Sequence, residues 1–214
     1  LPLSVANGGT GGTSGGGGWA VVTAATALPA SNSLEVDMDL GFDYRIEWFG
    51  MNIDEKGYMR GQVYEAGAWQ DLAGNYYNTY TNISEEAAAI QSAREIVDAK
   101  VANEGVFRTA VTDGNAADVT DTGRGSLTLI QPDNANVRTF FLGERHRLEG
   151  NAPHGTYSTG VLAHEWERVS AERTDPARAT KFRLIHDLYS PNPAPVFTAG
   201  YYVVWKCANG NSTS

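Results

Sequence analysis

From residue 33 to residue 40 the chain reads Ser-Leu-Glu-Val-Asp-Met-Asp-Leu, with an apolar residue at every second position. Leu34, Val36, Met38 and Leu40 fall on one side, and Glu35, Asp37 and Asp39 on the other. A period of two belongs to an extended strand with one buried face; a helix would bring the apolar residues back at three and four. Because a slip of one residue exchanges the two faces, such a segment also fixes its own register.

The same texture returns along the chain. Trp19 opens a short apolar, β-branched run. Residues 44–53 carry Tyr44, Ile46, Trp48, Phe49, Met51 and Ile53, and the doubled Trp48-Phe49 predicts a bulge or burial on both faces. Lys56 and Gly57 turn the chain into a strand at 58–64, interrupted by Gly61. Further strands are expected at 106–111, 126–130, 137–148, 156–169, 181–189 and 196–207. The run Tyr201-Tyr202-Val203-Val204-Trp205 predicts a central strand covered on both faces. One segment breaks the pattern. Ser84 is a candidate N-cap before Glu85 and Glu86, and Ala87, Ile90, Ala93, Val97 and Val101 recur at helical spacing before Asn103 and Gly105. A single amphipathic helix is expected over 84–102. Many short strands with one helix point to an all-β, mainly antiparallel sandwich or jelly-roll-like domain.

Composition sets the outer bounds. The chain has 214 residues, 42% hydrophobic and 19% charged, which suits one sizeable core. Its net charge of −9 repels phosphates and makes nucleic acid a poor partner. No stretch has the ~18 apolar residues of a membrane span, so no membrane insertion is expected. The first residues show neither a basic start nor an apolar run, so no secretion signal is expected. Cys207 is the only cysteine, which excludes an internal disulfide and reads as a small buried hydrophobe. Eight of the 24 glycines fall within the first 18 residues. That concentration divides the chain into a glycine-rich connector at 1–18, a domain at 19–207 and a loose polar tail at 208–214.

The search for catalytic and metal motifs is negative. His164-Glu165-Trp166-Glu167-Arg168 starts like the zinc pattern H-E-x-x-H, but Arg168 stands where the second imidazole is needed. The histidines lack ligand spacing, and no phosphate loop or nucleophile elbow occurs. Asp113, Asp118 and Asp121 read as a solvated turn cluster rather than a calcium loop. No catalytic residue, metal site or cofactor is expected. The better lead is aromatic. Trp69, Tyr76, Tyr77, Asn78 and Tyr80 interleave rings with hydrogen-bonding side chains, which suits the apolar and hydroxylated faces of a glycan. The competing reading has these rings closing the sandwich end or a subunit interface.

The opening Leu1-Pro2-Leu3-Ser4-Val5-Ala6-Asn7-Gly8-Gly9-Thr10-Gly11 resembles a segment, "LPVANGGTG", found in bacteriophage tail fibre proteins. Asp43-Tyr44-Arg45-Ile46-Glu47, the stretch 123–132 and the stretches 179–185 and 199–205 resemble elements of a β-sandwich module of phage virion and fibre proteins. The 84–102 segment stands outside that pattern. The resemblance implies a virion appendage, a tail fibre or head fibre, normally homotrimeric and in contact with other virion proteins. It implies attachment to a host cell-surface polysaccharide and no catalysis. A capsid decoration protein with a purely structural role is the alternative. A polysaccharide depolymerase tip, drawing on Glu144, Glu149, Glu165 or Asp187, is a weaker one.

Overall fold

The computed structural model describes residues 18–54, 57–72, 74–86, 89–93, 105–107, 111–112, 123–131, 138–149, 163–188 and 196–209. The expected connector, apart from Gly18, lies outside these residues, as do most of the expected tail and the acidic loop at 113–121. The described strands are β1 (Ala20–Ala27), β2 (Ser33–Asp37), β3 (Phe42–Ile53), β4 (Gly57–Glu65), β5 (Ala68–Trp69), β6 (Tyr76–Glu86), β7 (Ala89–Ala93), β8 (Val111–Thr112), β9 (Gly123–Ile130), β10 (Phe140–Glu149), β11 (Ala163–Arg173), β12 (Ala179–Leu188) and β13 (Phe197–Ala208). They form an eight-stranded sheet in the order β1-β13-β3-β9-β10-β11-β6-β7 and a five-stranded sheet built on β2-β12-β4-β5, with β8 also paired to β4. Each of the described pairings is antiparallel.

Alternation places one face of each sheet in a common core. Leu34 and Val36 of β2 are buried while Glu35 and Asp37 are exposed. Leu127 and Leu129 of β9, Phe182 and Leu184 of β12, and Tyr44, Ile46 and Trp48 of β3 join the same cluster. Each fully buried side chain of this size contributes about 1.5–3 kcal/mol. A polar tie crosses between the layers: the Val63 N–H of β4 donates to the Tyr76 hydroxyl of β6 at 3.0 Å. The result is a sandwich-like, all-β arrangement.

The Trp48-Phe49 doublet resolves into a bulge. Trp48 is buried, Phe49 is exposed, and Gly50 takes φ 57°. Between Trp48 and Met51 the pairing with β9 gains one residue, which returns Met51 to the core. Gly61 does not interrupt β4. It sits mid-strand, where a Cβ would lie 3.0 Å from Leu127 Cδ2 and 3.1 Å from a Phe182 ring carbon.

Three expectations are corrected. No helix occurs among the described residues. Ser84, Glu85 and Glu86 continue β6, with Ser84 opposite Glu165, and 89–93 folds back on it as β7. Helical spacing there is a preference of tenths of a kcal/mol per residue. A ladder on the edge of a formed sheet satisfies the backbone and overrides it. Residues 94–102 lie outside the described residues. Secondly, β13 lies between β1 and β3, yet its outward face is open: Val204 is buried and Tyr201 is 59% exposed. Thirdly, Cys207 is half-buried, because its position in β13 alternates with core-facing Val204 by an odd number of residues.

The core also holds charge. Arg145 Nε and Glu167 Oε2 lie 2.7 Å apart, and Arg173 Nε and Glu65 Oε2 lie 2.9 Å apart, all four buried. His186 is buried beside Phe197, the rings 5.1 Å apart and edge to face. Burial, and secondarily the Arg145 guanidinium, push its imidazole down to about 3. An unfolded histidine titrates near pH 6.5. Between those values the unfolded chain holds a proton that the folded chain lacks, so stability falls as pH drops through this window. Urea unfolding of His186→Phe should show a pH slope shallower by up to about 1.4 kcal/mol per pH unit there. An unchanged slope would show that other groups carry the acid sensitivity.

Candidate functional site

The five aromatic-region residues singled out in the sequence do not converge. Tyr76 is fully buried, its ring 5.8 Å from that of Phe141 and its hydroxyl accepting from Val63. Asn78 is buried too, and its Nδ2 donates to the Gly105 carbonyl at 2.8 Å. Tyr77 alternates with them and faces outward from the eight-stranded sheet, with Arg138 5.6 Å from its ring centre and Arg138 paired to Glu172 at 2.7 Å. Trp69 belongs to the five-stranded sheet, beside Tyr64 and with the Arg183 guanidinium 4.3 Å from its ring centre. Tyr80 stands opposite Val169 in the β6–β11 ladder; its side chain is outside the described residues. Tyr77 and Trp69 therefore lie on the outer faces of different layers and cannot grip one ligand together.

The outward face of the eight-stranded sheet has a groove instead, of about 480 Å³. It is built by register. Arg45 of β3 stands opposite Thr128 of β9, Thr128 opposite Leu142 of β10, Leu142 opposite Ser170 of β11, and Ser170 opposite Thr79 of β6. The next row on the same face runs Glu47, Ser126, Glu144, Arg168. All but Glu47 line the groove, together with Gly143 and Val169. At ~4.8 Å per strand the first row spans roughly 19 Å. The face is outward because the intervening residues Ile46, Leu127, Phe141, Val169 and Asn78 fill the core.

The polar groups of the groove are only partly committed to one another. Arg168 lies 4.0 Å from Glu144, both well exposed, and its guanidinium packs 4.4 Å from the centre of the Trp166 ring. Arg45 Nη2 pairs with Glu47 Oε1 at 2.6 Å, and the Trp205 indole N–H donates to Glu47 Oε2 at 3.2 Å. Arg45 Nε makes no hydrogen bond among the described residues. His146, 6.0 Å from Trp166 ring to ring, is held below the usual imidazole range by partial burial and by Arg124, against an opposing pull from Glu144. Leu142, 51% exposed, supplies an apolar floor among hydroxyls, guanidiniums and one carboxylate.

Of these residues only Glu144 was reachable from sequence, as a candidate carboxylate. The alternation Ser126-Leu127-Thr128-Leu129 carried a usable signal, since it puts two hydroxyls on the face away from the core. Arg145, at the basic end of β10, points the other way into the core and is not available to an external anion. Among the described residues no group of three or more His, Cys, Asp or Glu side chains gathers to hold a metal ion. No family model, curated protein or solved structure matches the chain.

Proposed function

We propose that this chain is a non-enzymatic carbohydrate-binding module, a β-sandwich of a bacteriophage fibre or spike, that attaches to host-surface polysaccharide through the outward groove. One observation carries the binding reading. The Arg45-Thr128-Leu142-Ser170-Thr79 row sets hydroxyls and a guanidinium at strand spacing around an apolar floor. A polysaccharide repeats the complementary chemistry, hydroxyls alternating with C–H faces, along an extended chain. The virion setting, with a homotrimer and neighbouring virion proteins as partners, rests on the likeness of residues 1–11 to tail fibre segments. Trimerisation would multiply a weak sugar contact into useful avidity.

Ser170→Trp tests the groove. The indole would stand over Leu142 and Thr128 and obstruct the row. Affinity electrophoresis against host surface polysaccharide should show retarded migration of the native chain and a loss of more than about tenfold in affinity for the variant, equivalent to over 1.4 kcal/mol. Trp69→Ala, on the other layer, should bind as the native chain does. If the native chain binds no surface polysaccharide, the purely structural decoration role takes over. If the polysaccharide is shortened, the depolymerase reading takes over.

A further inference from the structure

No aromatic side chain lines the groove. Trp166, further along β11, has the Arg168 guanidinium 4.4 Å from its ring centre. The apolar part of the floor is Leu142, and its surface continues along the same face of β10. Phe140, two residues back, is 41% exposed, and Ile130, opposite Phe140 on β9, is 37% exposed. At ~3.4 Å per residue, Phe140 and Leu142 form an apolar step roughly 7 Å long. The hydroxyls of Thr79, Ser126, Thr128 and Ser170 stand around Leu142. The charges of the two rows cancel. Arg45 has Glu47 at 2.6 Å, and Arg168 has Glu144 at 4.0 Å. A polyanion therefore finds no excess of cations in these rows, and the chain as a whole, at net −9, repels it.

We propose that the groove selects a neutral glycan that carries methyl groups, either the C6 methyl of a deoxy sugar or the methyl of an acetyl substituent. The proposal rests on the carbohydrate-binding reading and specifies what that site takes. A flat ring suits the C–H face of an unsubstituted pyranose. A projecting branched side chain such as Leu142 offers a small apolar contact instead, which suits a single methyl group. Withdrawing one methyl from water against it is worth about fourfold in affinity. The surrounding hydroxyls both donate and accept, so they serve the sugar hydroxyls and, in an acetylated glycan, the carbonyl beside the methyl.

Affinity electrophoresis of the full chain in four polysaccharides tests this: dextran, O-acetylated dextran, a rhamnose homopolymer and polygalacturonate. Acetylated dextran or the rhamnose polymer should bind about fourfold or more tighter than dextran, and which of them does so identifies the source of the methyl. Polygalacturonate should bind no better than dextran. Leu142→Thr, at an exposed position and with a strand-forming replacement, should abolish the preference, whereas Leu142→Met should keep it. Equal binding of dextran and both methyl-bearing polymers overturns the proposal and leaves the carbohydrate reading standing. Tighter binding of polygalacturonate, or a preference that survives Leu142→Thr, has the same consequence. Absence of retardation by both methyl-bearing polymers also overturns it. In that case host surface polysaccharide separates the two failures: retardation by it keeps the carbohydrate reading, and no retardation removes that reading as well.

Discussion

Replacing Glu65 by alanine should lower the free energy of unfolding by about 3–5 kcal/mol, because it strands a buried guanidinium. Arg173 is almost wholly buried. Its Nε donates to Glu65 Oε2 at 2.9 Å, its Nη2 to Gln70 Oε1 at 3.0 Å, its Nη1 to the Asn75 carbonyl, and its Cζ lies 5.1 Å from the Tyr76 ring centre. The pair joins β4 of one sheet to β11 of the other, so its loss acts on the seam of the sandwich. Burial pushes the Glu65 carboxyl up, and Arg173 beside it pulls it back down, so ionising the carboxylate inside the protein is itself costly. The pair is therefore more important for not being broken than for its net contribution. Glu65→Leu combined with Arg173→Met should cost less than Glu65→Ala alone, since no charge is left without its counter-ion. Urea denaturation of the three chains checks the order, and a melting loss of roughly 6–20 °C is expected for the single variant. A single variant within about 1 kcal/mol of the native chain would mean that water or a rearranged partner reaches Arg173 easily.

The second large effect is expected at Gly125. A Cβ there would lie 2.3 Å from Trp48 Cζ2 and 2.5 Å from the Glu144 carbonyl oxygen. The first contact is with the ring of the largest fully buried side chain, and the second is with backbone of the neighbouring strand β10. Neither can yield cheaply, since the Trp48 ring also meets Phe107 edge to face at 6.0 Å between centres. Gly125→Ala should cost about 1–3 kcal/mol or more, with a red-shifted tryptophan emission as Trp48 leaves its site. Gly123, two residues earlier on the same strand, is the control. Its nearest neighbour to an added Cβ is the Met51 carbonyl oxygen at 3.5 Å, an ordinary contact. Gly123→Ala should lie within about 0.5 kcal/mol of the native chain. Equal effects at both positions would locate the cost in strand backbone propensity rather than in the Trp48 contact.

Alternation made the strands legible but overran one of them: Leu40, on the apolar side of the 33–40 spacing, lies beyond the end of β2 and is 54% exposed. Leu34 and Val36 in β2, Met38 just past its end, and Leu127 and Leu129 in β9 are buried as their spacing requires. Reading failed where an edge decided the outcome. The 84–93 segment has helical spacing, yet residues 84–86 and 89–93 extend because β11 and β6 offer a ladder. Tyr76 and Asn78 looked like glycan contacts, but inward alternation buries them, and each meets a specific partner there: the Val63 N–H donates to the Tyr76 hydroxyl, and Asn78 donates to the Gly105 carbonyl. Charged side chains obey the same alternation: Arg145 and Glu167 are on the core side because their strand positions put them there, and each neutralises the other.

The groove marks the boundary between what one sequence carries and what folding adds. The chain by itself determined which residues alternate, and so that Ser126 and Thr128 lie on the face opposite Leu127 and Leu129. That information is local, set by the two-residue period of an extended backbone. Whether those hydroxyls lie beside Arg45, Leu142 and Ser170 depends on the order β3-β9-β10-β11-β6, which joins segments far apart in the chain. Strand order is chosen by the total packing of two sheets around Trp48, Phe141 and Phe182, and no single segment encodes it. The same holds for β1: its apolar, β-branched run is local, but only the tertiary structure places it next to β13 at the end of the eight-stranded order.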